Sequence, residues 1–396
     1  MRILIVNKYL YRCGGAETYV LKLGEYLGES GNDVEYFGMA DERNEAGNRV
    51  GAYSENIDFH SQSLKKLTYP FKIIYSFKTA SALRRVIDDF KPDAALLNNF
   101  NYQLTPSVIY ELKKHNIPIV YTAHDSQLVC PSHRMKNSAV QGLCRECGEG
   151  RYYRCIKNRC IHSSRIRSIL GAAEAYLYRI LHTYRLIDRV ICPSRFMEKE
   201  LLRNTDLTGK TVVMHNFIEK LSPSEAEREN YVLYFGRYSE EKGIRTLIRA
   251  AQNLPSIQFV FAGGGDLEEE INGVDNIRNL GFLTGKELQE VIEKAAFSVL
   301  PAEWAENCPF TVMESQSLMT PVIGADIGGI PELIDNGRTG LLFESGNSDE
   351  LTEKIEYLYK NRELCRQMSA ECASVCYDTI SEYSERILNL FEGLIK

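Results

Sequence analysis

The chain has 396 residues, 44% hydrophobic and 25% charged, with a formal net charge of −6. That length accommodates two α/β domains of ordinary size. The composition excludes a disordered or fibrous chain, and no stretch approaches the roughly 20 consecutive apolar residues of a membrane span.

Met1–Asn7 is too short for a signal-peptide core and reads as a first strand, so a cytoplasmic location is expected. Strand-like runs then recur at Arg2–Val6, Val34–Phe37, Asp93–Leu97, Pro118–Thr122, Arg189–Cys192 and Val212–Met214. Helical patterns such as Thr18–Leu27 and Pro106–His115 lie between them. Alternating βα units predict a parallel sheet covered on both faces. The polar stretch Glu219–Asn230 interrupts the pattern and reads as a linker. A second series follows at Tyr231–Phe235, Gln258–Ala262, Ile277–Leu280, Phe297–Leu300, Pro321–Gly324 and Leu341–Phe343. The tail Glu382–Ile395 puts Tyr383, Ile387, Leu390, Phe391 and Leu394 on one helical face. The expected fold class is α/β, two Rossmann-like domains facing across a cleft, over residues 1–220 and 229–376, with residues 377–396 as a closing helix.

Charge is unevenly divided between these halves. Residues 1–220 carry 32 Lys and Arg against 23 Asp and Glu; residues 221–396 carry 15 against 30. The first half is therefore suited to an anionic lipid surface or a phosphorylated acceptor. Phe59–Ile87 holds six basic residues and no acid, and Gly150–Ile187 holds eight against Glu174 alone. In the latter, Ile166, Ile169, Leu170, Ala173, Leu177, Ile180, Leu181 and Tyr184 share a helical face. That face is read most simply as core, while the surrounding charge could hold the protein to anionic lipid.

Candidate sites follow the strands. Gly14-Gly15-Ala16-Glu17 succeeds the first strand, where glycines allow close backbone approach and a helix start attracts an anion; a plain turn is the alternative. His124-Asp125 ends an apolar strand, where ligands of open α/β sheets bind, and His124 could hydrogen-bond a sugar. Gly236-Arg237 through Lys242-Gly243 offers two cations for a diphosphate whose charge grows as it leaves. The sequence has no Asp-x-Asp to hold a divalent metal on such a group, so no catalytic metal is expected. Gly263-Gly264-Gly265-Asp266 allows approach of a base or phosphate. In Glu306-Asn307-Cys308-Pro309-Phe310 through Glu314, Pro309 is expected to begin a helix. The backbone of Cys308–Phe310 would then face a ligand, Glu306 a sugar and Glu314 a ribose diol.

Cys130, Cys144, Cys147, Cys155 and Cys160 form a separate cluster within a 130–162 insertion, beside His133 and His162. The C-x-x-C with further Cys nearby has structural-zinc spacing; free cytosolic thiols are the alternative.

Taken together, GGAE at 14–17, HD at 124–125, GRYSEEKG at 236–243, AGGGD at 262–266, ENCPFTVME at 306–314, TPVIGADIGGIPELI at 320–334 and GRTGLLF at 337–343 resemble glycosyltransferase family 4, retaining enzymes of the GT-B fold. The Cys-rich stretch resembles a variant seen among bacterial members. The resemblance implies a UDP- or GDP-sugar donor. Arg237 and Lys242 would lie on its diphosphate, Gly14 and Gly15 beside the reaction centre, His124 and Glu306 at the transferred sugar, and Glu314 at the ribose. It also implies a lipid-linked or polysaccharide acceptor in cell-surface glycan synthesis, met at the inner face of the membrane, and a last helix that crosses back to the first domain. Three positions depart from the family pattern: Ala302 for a frequent Ser, Ser315 for Ala, and Met319 for a Gly before Thr-Pro. The competing readings are a sugar-nucleotide epimerase on the same fold and a non-catalytic zinc-stabilised module whose basic face binds nucleic acid. The acidic second half argues against the module, so no nucleic acid is expected as a partner.

Overall fold

A computed structural model describes residues 1–56, 75–101, 103–137, 142–219, 221 and 228–395. The basic run over Phe59–Ile87 lies outside these residues up to position 74. Each of the twelve apolar runs forms a strand, and the described chain divides into two compact units, the second running from Phe217 to Thr379.

The first unit holds β1 (Arg2–Val6), β2 (Asp33–Phe37), β3 (Ala94–Leu97), β4 (Ile119–Thr122), β5 (Arg189–Cys192) and β6 (Thr211–Val213). They pair in parallel in the order β2-β1-β3-β4-β5-β6. β3 and β4 are buried at every position, as expected for parallel strands covered by helices on both faces. The chain runs outward from β1 to β2, then returns to β1's other side as β3. This places the switch point at the carboxyl ends of β1 and β3.

The helix Ile380–Ile395 also belongs to this unit. Tyr383, Ile387 and Phe391 of the predicted apolar face are buried. The Tyr383 and Tyr19 hydroxyls lie 2.9 Å apart, with their rings edge to face.

The helix Arg165–Ile180 reverses an expectation. The face read as core is largely the outer one: Ile166 is 73% exposed, Ile169 44%, Ile180 72% and Leu181 55%. Only Tyr184, beyond the helix, enters the core. The buried helix positions are Ser168, Gly171, Ala172 and Tyr178. Small side chains explain the orientation, because they admit close backbone approach. A Cβ on Gly171 would stand 2.4 Å from Ile161 Cδ1, and Ser168 Oγ accepts a hydrogen bond from the Ile161 N–H at 3.1 Å.

The second unit holds β7 (Tyr231–Arg237), β8 (Gln258–Gly264), β9 (Ile277–Asn279), β10 (Phe297–Leu300), β11 (Val322–Ala325) and β12 (Gly340–Phe343). All pair in parallel, in the order β12-β11-β10-β7-β8-β9. Here the switch point lies at the carboxyl ends of β7 and β10.

The linker is less detached than its polarity predicts. Arg228 is partly buried in this unit and donates to the carbonyls of Ala295 (2.8 Å) and Met319 (2.7 Å), to Thr320 Oγ1 (3.0 Å) and to Ser369 Oγ (3.1 Å). A cation there complements the carbonyl end of the helix Phe310–Ser317.

Candidate active site

The best-assembled candidate residues stand at the second unit's switch point. β7 ends at Gly236-Arg237 and passes through a short turn, Glu240–Lys242, into the helix Ile244–Asn253. Gly243 makes that turn possible: its φ is +73°, and a Cβ there would stand 1.8 Å from the Pro301 carbonyl oxygen. The β7 loop is thus pressed against the end of β10.

The two loops meet through side chains. Lys242 Nζ forms an ion pair with Glu306 Oε1, and Trp304 Nε1–H donates to the same oxygen at 2.6 Å. Lys242 also lies 5.7 Å from the centroid of the Trp304 ring. Both charged groups are largely shielded from solvent. A third loop fixes the Glu306 backbone: the Gly329 N–H donates to the Glu306 carbonyl at 2.7 Å. Gly328 allows this approach, since its φ is +65° and a Cβ would meet that carbonyl oxygen at 2.3 Å.

Arg237 differs from Lys242. Its side chain is 59% exposed, and its guanidinium stands 4.0 Å from Glu241. The pair is therefore one anchored cation and one extended into solvent.

The β10 loop leads into the helix Phe310–Ser317. Pro309 is its cap, with an extended ψ of 123°, and not its first residue. This corrects the expected start by one position, because the cap residue keeps non-helical backbone angles. The free N–H groups and the positive dipole end of this helix suit an anion. Phe310 and Glu314 are partly buried on it. Cys308 is buried, with its sulfur 3.6 Å from Met313 Sδ, so its backbone and not its thiol is available to a ligand. Gly265 and Asp266 are exposed just beyond β8.

Two hydroxyls around this point, Ser239 Oγ and Thr311 Oγ1, are buried without a hydrogen-bond partner. Such groups are costly unless a ligand or water satisfies them. A nucleotide sugar fits the set: cations and helix N–H groups for phosphate, carboxylates and hydroxyls for sugar and ribose.

The first unit brings its own candidates to the ends of β1, β3 and β4. Gly14, in extended conformation, caps the helix Gly15–Glu29 without a side-chain bond of its own. His124 Nε2 lies 3.0 Å from Asn98 Oδ1. The Asn98 amide nitrogen faces the Val6 and Leu96 carbonyls, so Oδ1 accepts and His124 carries its proton on Nε2. Burial lowers the His124 pKa to about 4, which keeps the ring neutral at pH 7. Asp125 binds its own turn, accepting from the Gln127 N–H at 2.8 Å and from Asn101 Nδ2 at 3.2 Å.

Two residues here escape sequence reasoning. Asn98, at 0% exposure, orients the histidine; its signal was an Asn pair closing the apolar run of β3. Lys8, just past β1, is near Glu17, Cys13 and Asp125, and burial lowers its pKa. A single Lys after a strand carries no sequence signal.

The five cysteines of the insertion line one cavity. As placed, no three His, Cys, Asp or Glu among the described residues form a ready ligand set for a metal ion.

Comparison with known proteins gives the same assignment twice over. The family profile described as "Glycosyltransferase Family 4" matches residues 13–220, and "Glycosyl transferases group 1" matches residues 217–373. The chain is 30% identical to an uncharacterized glycosyltransferase of Methanocaldococcus jannaschii, over 45% of this chain and 51% of that one. It is 24% identical to an uncharacterized 42.6 kDa protein in the cps region of Klebsiella pneumoniae, over 84% and 87% respectively. The chain spans about half the length, or less, of the first curated relatives it matches. Among solved structures it resembles sucrose-phosphate synthase from Thermosynechococcus elongatus (TM-score 0.74, 18% identity, 99% and 98% of the two chains). It also resembles Anabaena HepE in complex with UDP (TM-score 0.70, 17% identity, 99% and 100%).

Proposed function

The chain belongs to glycosyltransferase family 4, with the GT-B type of fold, and on that premise we propose that it moves a hexosyl group from a UDP- or GDP-sugar with retention of configuration. The observation that carries this is the meeting of Lys242 and Glu306 from the ends of β7 and β10. In this reading the diphosphate lies along Lys242, Arg237 and the start of the helix Phe310–Ser317. Glu306 receives a hydroxyl of the transferred sugar and Glu314 the ribose. The bond from the anomeric carbon to the phosphate oxygen breaks, and the departing phosphate takes the acceptor's proton. The acceptor oxygen then bonds to the same face. Fixed cations favour this step because the charge they meet is larger in the transition state than in the bound donor. The Anabaena neighbour's UDP supports a uridine donor.

The acceptor in this reading is lipid-linked or a growing polysaccharide, reached at an anionic bilayer. The support is the outward apolar stripe of the helix Arg165–Ile180, flanked by the exposed Arg151, Lys157, Arg159, Arg165 and Arg167. Burial raises the pKa of Glu174, the one acid of this stretch, to about 8, so the basic face is little offset at neutral pH. Among the described residues no helix is long and apolar enough to cross a membrane. An amphipathic, basic helix lying in the interface is the expected mode of contact.

The test is a thermal-shift series with UDP-, GDP- and ADP-sugars on the wild type and Glu314→Ala, followed by anomeric analysis of the product. Stabilisation by one nucleotide class, absent in the variant, and an axial-to-axial outcome support the reading. No stabilisation by any donor, or an inverted product, overturns it.

A further inference from the structure

We propose that the cysteine-rich insertion is a zinc module, in which Cys130, Cys144, Cys147 and one of the pair Cys155 and Cys160 hold a single structural zinc ion. All five cysteines are free thiols, although they are separated by up to 30 positions in sequence. Together they line a cavity of about 20 Å³ beside Ser132, Met135, Lys136, Arg145 and Arg203. A void of that size admits one atom-sized guest. The Cys160 N–H donates to the Cys155 carbonyl at 3.2 Å, which holds the two side by side on the cavity wall, so either can supply the fourth sulfur. The sulfurs surround the void without yet closing on one point. Zinc–sulfur distances of about 2.3 Å require the thiols to rotate inward, each giving up its proton as it binds.

Two further observations fit. A tetrathiolate zinc centre carries two negative charges, and three cations line this cavity. Arg145 and Arg203 share Glu200, a buried carboxylate, and Glu146, also nearby, is held by Asn158. The surround remains net positive. The backbone also needs a clamp: of eleven non-glycine residues with left-handed φ among those described, six lie between His133 and Ser163. Such conformations persist only where the surroundings fix them, and this segment has only short helices to do so before residue 165. The module is independent of the donor site, and its test needs neither donor nor acceptor.

The experiment is elemental analysis of untagged protein purified without added metal. It is followed by release of the ion with p-hydroxymercuribenzoate, read with a chromogenic chelator, and repeated on Cys144→Ser/Cys147→Ser. About one zinc per chain, released on thiol blocking and lost from the double variant, is the expected result. Zinc below about 0.1 per chain overturns the proposal, as do iron with visible absorption or a disulfide found by mass spectrometry. Should the double variant fail to fold, the wild-type zinc content and its thiol-dependent release decide alone.

Discussion

The ends of β7 and β10 and the ends of β1, β3 and β4 are the same topological place in two sheets, furnished differently. The second unit supplies a shielded ion pair, a helix start and two unsatisfied hydroxyls. The first supplies a neutral imidazole aligned by an amide, with the cation Lys8 nearby. Fixed charge suits a ligand whose own charge grows during reaction. Neutral polar groups suit hydroxyls, which gain nothing from a group that changes protonation. One scaffold thus presents two chemistries, according to which side chains follow its strands.

The largest test of this contrast removes the anchored cation. Lys242→Ala or Glu306→Gln is expected to lower kcat about 10³-fold, in the range seen for losing one preorganised electrostatic group. Arg237→Ala should cost about 10-fold, because solvent screens an exposed charge. Equal losses would mean that Arg237 closes onto the donor and that the asymmetry belongs to the free enzyme only.

On the first unit, Ile166→Asp/Ile180→Asp should weaken sedimentation with vesicles containing anionic lipid at least ~10-fold, since two large apolar side chains leave the interface. Donor-induced stabilisation should be unchanged. Unaltered vesicle binding removes this helix from membrane contact.

A smaller effect tests the neutral histidine. The folded pKa of His124, about 4, lies below its unfolded value near 6.5. As pH falls through that window the unfolded chain takes up the proton first, so stability is full above about 6.5 and declines toward 4. The decline attributable to this ring should be about 3 kcal/mol and absent in His124→Gln, measured by urea unfolding at several pH values. An identical pH profile in the variant would show that the ring titrates normally.

The smallest expected change is a gain. Met319 has a left-handed φ of 59° just past the helix Phe310–Ser317, where glycine is favoured. Met319→Gly should stabilise the protein by about 0.5–1 kcal/mol if its side chain contributes little packing. A loss in unfolding free energy would show that packing of the thioether outweighs the strain.

The strands were legible because parallel strands buried on both faces are written as continuous apolar runs. The Arg237–Lys242 and Glu306–Glu314 segments were legible because each follows such a run. The orientation of the helix Arg165–Ile180 was not. Periodicity says which residues share a face, and the deciding signal was the small-residue face of Ser168, Gly171 and Ala172. The partnership of His124 with Asn98 spans 26 positions, and the anchoring of Arg228 depends on carbonyls that any sequence would offer. The family departures acquire reasons only in three dimensions. Ser315 Oγ bonds Ser298 Oγ at 2.8 Å in the core, whereas Met319 tolerates a backbone shape that glycine would adopt without strain.

The contact between Gly328 and the Glu306 carbonyl has a consequence for how activity is lost over generations. A single nucleotide change can turn this glycine codon into one for alanine. The added methyl group would push Glu306 off its partners while leaving every charged motif residue in place. A descendant carrying that change would look intact by its cations and carboxylates and yet be silent. On the proposed reading, the small residues at 243 and 328 are as much a part of the site as its charged ones.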